Sequence, residues 1–358
     1  MAVVHPRLAP KIQRCGSFDP SSVATSRAAS AEPEMDSPLR VHLAVDGDHR
    51  SITPRPGVSG DPFRHALETR VQGWTVLSRG PADEIPLDAT VLVGSRIDAE
   101  VLRARPALRA IIVPWAGIPA GLQQSLVDAN RSDIRIHNIH HNAPSAAETA
   151  MALLLAAARG IHALDSDLRR HDWRQRYEPR PSRRLEGGRA LVLGRGEIGR
   201  RIARGLQGLG MEAKTLGRPP SSSRWKAEDL AAEAAGVDAL LLAVPASAET
   251  DGIVDATVLD AIPGAIVVNV GRASVIDEDA LFERLADHRL FAAGLDVWWH
   301  VPASESERAK TAPSTHPFHD LDNVVMTPHV GGGLGEPGIE PARAEAISEV
   351  LHALASDS

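Results

Sequence analysis

The sequence predicts an α/β chain of two units, each a parallel sheet covered by helices, on three observations. Strand-like apolar runs alternate with helix-like stretches from residue 39 onward, several later runs are continuously apolar, and one glycine-rich turn joins such a run to a helix. The length agrees, because 358 residues exceed one ordinary core and two domains are the natural expectation.

Residues 39–45 alternate as a strand and run into the turn residues Asp46 and Gly47. Strand-like stretches recur at 90–94 and 108–114. Residues 144–159 read as one long, largely buried helix, with Pro144 in the first turn, where a missing N–H costs nothing. The polar, Arg-rich stretch 169–184, with Trp173 and Tyr177, reads as an arm or connector. A second series places strands at 190–193, 211–216, 239–244, 265–270, 290–297 and 323–327. Several are unbroken apolar runs, as expected of central strands buried on both faces. An amphipathic helix over 342–355 closes the chain.

Composition narrows the function class. A net charge of -7 argues against a nucleic-acid partner, which calls for an excess of Lys and Arg to neutralise phosphates. The longest apolar run, 151–158, falls short of the roughly 20 residues a bilayer span needs, so no membrane partner is expected. The single cysteine, Cys15, forms no internal disulfide, and a reducing, cytoplasmic compartment is the default. Residues 1–36 are rich in Pro, Ser, Ala and Arg without apolar periodicity. They are expected to be a disordered leader, or an over-extended translation start ahead of Met35. A transit peptide is the other reading, and Asp19, Glu32 and Glu34 count against it.

The turn Gly194-x-Gly196-x-x-Gly199 follows the run 190–193 and opens a helix-compatible stretch. In a dinucleotide site the first glycine permits the turn, the second a close approach of pyrophosphate, and the third tight helix packing. Free N–H groups at the helix start would hold the phosphates, with Glu197 and Ile198 beside them. An ordinary strand-to-helix turn is the plainer alternative. The next strand normally ends in an acid that binds the ribose 2′-hydroxyl. Here it ends in Gly217 and Arg218, followed by two prolines and three serines. A small residue, an arginine and hydroxyls suit a 2′-phosphate, so NADP(H) is expected ahead of NAD(H), with a merely solvated loop as the alternative.

Six blocks in order then resemble the D-isomer-specific 2-hydroxyacid dehydrogenases, a family that includes glyoxylate/hydroxypyruvate reductases, phosphoglycerate dehydrogenases and formate dehydrogenase. They are Trp115-Ala-Gly-Ile118, residues 141–148, residues 240–245 with Thr250, residues 269–277, residues 294–297, and Thr327-Pro-His329. The resemblance implies a Rossmann-type cofactor domain (143–327) inserted in a flavodoxin-like substrate domain (37–142 and 328–358). It also implies a cleft between them and a homodimer through the cofactor domain, for which the Trp173 arm is a candidate. By the same resemblance, Val244, Pro245, Thr250, Val270, Gly271 and Asp296 line the cofactor side. Ala116, Gly117, Ile118 and Asn142 line the substrate side, and no metal is involved.

Reducing a 2-keto acid requires a carboxylate clamp, a hydride donor and a proton donor. The resemblance assigns the clamp to Arg272, whose planar fork suits a carboxylate, and the proton to His329, one of 15 histidines. Asp296 would contact the nicotinamide amide, or simply cap its strand end. The family's catalytic glutamate, directly before a proline, is replaced here by Val301 before Pro302. Without it a protonated His329 loses a favourable charge neighbour.

Glu305 or His300 could substitute, catalysis could tolerate the loss, or the reaction could need little proton transfer, as in the formate dehydrogenase branch. A non-catalytic, dinucleotide-sensing binding protein is the rival from another class. The pair Trp298 and Trp299, with Trp115, suggests an apolar wall near the nicotinamide, and ordinary interdomain packing is the equal alternative for the pair. The leading expectation is an NADP(H)-preferring reductase of a small 2-keto acid such as glyoxylate or hydroxypyruvate.

Overall fold

The computed structural model describes residues 38–44, 62–217 and 225–356. The leader 1–36 and Arg218 lie outside the described residues.

Two parallel sheets organise the chain. The first has strands β1 (Leu39–Ala44), β2 (Thr75–Gly80), β3 (Val91–Val93), β4 (Ala110–Val113) and β5 (Arg135–Asn138), in the order β2-β1-β3-β4-β5. The second has β6 (Arg189–Leu193), β7 (Glu212–Leu216), β8 (Ala239–Leu242), β9 (Ile266–Asn269), β10 (Ala292–Leu295) and β11 (Val324–Met326), in the order β11-β10-β9-β8-β6-β7. Every strand pair in both sheets is parallel. The strands β3, β4, β8, β9 and β10 are buried along their whole length, as the unbroken apolar runs predict.

Two edge strands carry no clear signal in the sequence. The strand β2 has no fully buried residue, and β5 is Arg-Ile-His-Asn. Each lies at the end of its sheet with one face or one edge open to water, so apolar residues are not required there.

The connecting helices are α1 (Pro62–Val71), α2 (Ala99–Arg103), α3 (Ala120–Ala129), α4 (Ala143–Arg159), α5 (Ile161–Arg169), α6 (Glu197–Gly208), α7 (Ala227–Ala234), α8 (Ala256–Asp260), α9 (Glu278–Ala286) and α10 (Ile339–Ser356). The long helix predicted over 144–159 is α4, with Pro144 in its first turn and Gly160 ending it in the left-handed conformation at φ 61°. Its buried face (Ala147, Ala150, Leu153, Leu154, Ala157, Ala158) packs on α6 and across β9, β10 and β11. The closing helix α10 returns to the first sheet. Its Ala344, Ile347, Leu351 and Leu354 recur every three or four residues and pack with α1, β1, β3 and β4 in one core. Among the described residues, no single helix is long and apolar enough to cross a membrane.

Leu154 is fully enclosed between α4 and the second sheet. Leu154→Ala is expected to lower the unfolding free energy by about 2–5 kcal/mol, measured by chemical denaturation.

Candidate functional site

Because both sheets are parallel, each has a single carboxyl edge, where ligands bind in open α/β sheets. The carboxyl ends of β4 and β5 meet those of β6, β7, β8 and β9 at a cleft of about 400 Å3. The first sheet contributes Ala116, Gly117, Asn138 and His140. The second contributes Gly194, Arg195, Gly196, Glu197 and Ile198, then Gly217, Ala243, Val244 and Pro245, and finally Val270, Gly271 and Arg272.

The glycine turn forms one wall. Gly194 has φ 118°, and a Cβ there would lie 2.5 Å from the Ala243 carbonyl oxygen, so only glycine fits. A Cβ on Gly199 would run into the Gly194 carbonyl oxygen, which explains the close seating of α6. At Gly196 a Cβ would meet nothing within 4 Å and would project into open space at the cleft. That is the place a pyrophosphate needs kept clear. Gly196 is also the N-cap of α6 and offers no side-chain cap, leaving the first N–H groups free of side-chain acceptors.

Glu197 is an anion in this first turn, but Arg200 and Arg201 both grip its carboxylate. Those hydrogen bonds, Arg201 foremost, hold its pKa down at about 2. The pair of arginines more than offsets the acid, so the turn remains suited to phosphate. The residues present therefore fit a dinucleotide.

Arg272 follows β9 and is fixed from two sides. The fully buried Asn269 accepts from the Gly271 N–H (3.0 Å) through Oδ1 and donates from Nδ2 to the Arg272 carbonyl (2.9 Å), which shapes the turn. The guanidinium donates from Nη1 to the Gly271 carbonyl (2.7 Å) and lies where a Cβ on Gly117 would be. Gly117 is thus a glycine because the arginine's fork occupies the space. Asn138 Nδ2 donates to the Ala116 carbonyl and holds this loop in place. Gly271 presses against Val244, since a Cβ would come 2.6 Å from the Val244 carbonyl oxygen.

His329 leaves β11 at the same edge and is half buried, with φ 56°. A non-glycine residue in that region is held there by its surroundings. The cause is Asp296, which follows β10 and is buried. Its Oδ1 accepts from the Thr327 hydroxyl (2.7 Å) and the Val330 N–H (2.9 Å), and its Oδ2 accepts from the Gly331 N–H (2.9 Å). Further along the loop, Ser145 at the start of α4 donates to Glu336 (2.8 Å).

Not every residue expected at the site lines the cleft. Asp296 spends both carboxylate oxygens on the His329 loop, which is the capping role rather than a surface facing the cleft. Thr250 turns its hydroxyl back onto the Pro245 carbonyl (2.7 Å) and accepts from the Ser247 N–H (2.9 Å). Ile118 packs against the core between the first sheet and the helices α2 and α3, and Asn142 stands at the N-cap of α4 with Nδ2 beside Gly332. His329 lies on its loop outside the cleft lining.

Trp298 and Trp299 are not a wall of the cleft. Trp299 stacks on Phe318 with ring centroids 5.7 Å apart, and Trp298 donates to the Thr327 carbonyl (2.8 Å). Both join the core beneath α9. Val301 stands on an exposed loop, and Glu305 pairs with Arg308 (3.0 Å). The cleft residues that the sequence did not single out are Asn138, His140, Arg195 and Ala243. Each sits within two residues of a strand's carboxyl end, and that position was the available signal.

His141 is half buried where β5 gives way to α4, with Arg343 of α10 donating to its Nε2 (3.4 Å). Burial first, then the positive Arg343 and the neighbouring His140, lower its pKa to about 4.

Two parallel α/β units with a glycine-turn cleft between their carboxyl edges define a dinucleotide-dependent class of protein, and comparison with known proteins narrows it. A family profile described as "D-isomer specific 2-hydroxyacid dehydrogenase, NAD binding domain" matches residues 151–331. The D-3-phosphoglycerate dehydrogenase of Mycobacterium tuberculosis is 34% identical over 271 residues, 73% of this chain and 48% of that protein. The glyoxylate reductase of Pyrococcus furiosus is 31% identical over 305 residues, 79% of this chain and 85% of that protein. The NADPH-dependent glyoxylate/hydroxypyruvate reductase of Sinorhizobium meliloti, solved with NADP and malonate, shares the fold at a TM-score of 0.62. The two are 24% identical, over 88% of this chain and 93% of that one. The chain belongs to the D-isomer specific 2-hydroxyacid dehydrogenase family. It spans about half the length of the phosphoglycerate dehydrogenases it matches.

Two outcomes follow from this geometry. Asp296→Ala removes the acceptor of the Val330 and Gly331 N–H groups, so amide exchange there is expected to quicken at least about tenfold by hydrogen–deuterium exchange. A depressed histidine pKa in the folded state means stability is full above about pH 6.5 and falls as the pH drops toward 4. Relative to His141→Gln, the native protein should lose about 2 kcal/mol across that window, after discounting for partial exposure, in denaturation titrations at each pH.

Proposed function

We propose that this protein is a reductase of a small 2-keto acid, of the glyoxylate or hydroxypyruvate kind, that uses NADPH in preference to NADH. One observation carries the reading: the Arg272 guanidinium, lying against Gly117, shares a single cleft with the open glycine turn. A carboxylate clamp and a phosphate cradle at the two ends of one cleft suit a charged substrate beside a dinucleotide.

In this reading residues 143–327 are the cofactor unit, and residues 37–142 with 328–358 are the substrate unit. Bound in the cleft, the nicotinamide cofactor supplies the hydride. Arg272, oriented by its bond to the Gly271 carbonyl, presents its guanidinium to the substrate carboxylate and polarises the adjacent carbonyl. The backbone at 116–118 approaches from the other side. His329 holds the proton that passes to the forming alkoxide, and Asp296 positions it through the backbone of its loop. The exposed apolar residues Ile161, Leu164 and Leu168 of α5, with Trp173 and Tyr177 of the arm, support a homodimer through the cofactor unit.

The test is NADPH oxidation, followed optically, against a panel of 2-keto acids, with NADH in parallel. Turnover on at least one acid with NADPH favoured is expected. Arg272→Ala should cut kcat/KM at least about a hundredfold with NADPH binding retained. Tight cofactor binding without turnover on any acid would overturn the reductase in favour of a dinucleotide-sensing role, for which the exposed Val301 in the glutamate's place leaves room.

A further inference from the structure

Arg195 is the first variable residue of the glycine turn, and its side chain is exposed. It lies across Gly217: a Cβ on that glycine would sit 3.2 Å from Arg195 Nε and 3.4 Å from Cζ and Nη2. Gly217 directly follows β7, where an NAD site carries the acid that binds the ribose 2′-hydroxyl. Here the acid is missing, and a guanidinium covers its place.

The framing is firm on both sides. The Gly194 N–H donates to the Leu216 carbonyl (2.8 Å), stitching the turn to the end of β7, and Trp225 Nε1 donates to the Gly217 carbonyl (3.0 Å). Among the described residues the charge of Arg195 is uncompensated as well. The acid nearest in sequence, Glu197, is taken by Arg200 and Arg201, and among the described residues no carboxylate pairs with the Arg195 guanidinium. Both Arg195 and Gly217 line the cleft. A planar fork at the sugar end of a dinucleotide cleft matches a dianionic phosphate monoester, which it can hold bidentately.

The geometry points to Arg195 as the residue that reads the 2′-phosphate of the adenosine ribose and so sets the choice of NADP(H) over NAD(H). This deepens the cofactor reading above and rests on it.

The test is calorimetric titration of the full chain with adenosine 2′,5′-bisphosphate and with 5′-AMP, which differ only in the phosphate at issue. The native protein should prefer the bisphosphate. Arg195→Leu should weaken it about 10- to 100-fold while leaving 5′-AMP within about twofold, as expected for the loss of one charge-assisted contact. An unchanged thermal midpoint checks the fold of this exposed variant. If the native protein discriminates and Arg195→Leu discriminates equally, the assignment to Arg195 is overturned while the NADP(H) reading stands. An equal loss for both nucleotides overturns it too, because Arg195 would then serve the shared 5′-phosphate. A native protein that binds the two alike overturns the NADP(H) reading itself, and the assignment with it.

Discussion

Parallel pairing in both sheets is the constraint on which the rest of the structure depends. In the second sheet Asn269, Leu295 and Met326 are aligned across β9, β10 and β11. The residues that follow them, Arg272, Asp296 and His329, therefore emerge at one edge although they span more than fifty residues of sequence. An antiparallel strand anywhere in that trio would send one of them to the opposite end. The same constraint holds in the first sheet, where the loop after β4 and the carboxyl end of β5 present Gly117 and Asn138 to the same cleft.

Buried polar groups then convert a shared edge into fixed geometry. Asn269 closes the turn before Arg272, and Asp296 grips the backbone after His329. Both are almost fully enclosed, where an unmade hydrogen bond would be costly, so each selects one loop conformation. His329 at positive φ is the local consequence. The strain stays because three hydrogen bonds to one carboxylate, two of them from the loop backbone itself, hold it.

Charge is arranged with similar economy around the phosphate cradle. Glu197 would repel a pyrophosphate if left alone, but its helix neighbours Arg200 and Arg201, three and four residues on, neutralise it. Arg195 lies over Gly217, with no carboxylate paired to it among the described residues. Elsewhere the helices α4 and α10 each cover their own unit. The former covers β9 to β11, and the latter returns the chain to α1 and meets His141 through Arg343.

Much of this was legible in the residues alone. Continuous apolar runs announced β4, β8 and β9, Pro144 and a run of Ala and Leu announced α4, and the glycine spacing announced the turn before α6, because each signal is local to its own element. The edge strands β2 and β5 were silent, since half-solvated strands need no apolar pattern. Adjacency in sequence also misled at Trp298 and Trp299, which stand next to Asp296 yet turn into the core against Phe318. What only the tertiary structure decided are contacts between distant segments: Arg272 in the space left by Gly117, Asp296 beneath the His329 loop, Arg195 over Gly217. The sequence by itself determined which elements form and which residue types have the right chemistry. Which of them meet depends on sheet order and helix packing, and those are set by burial summed over the whole chain rather than by any single stretch of it.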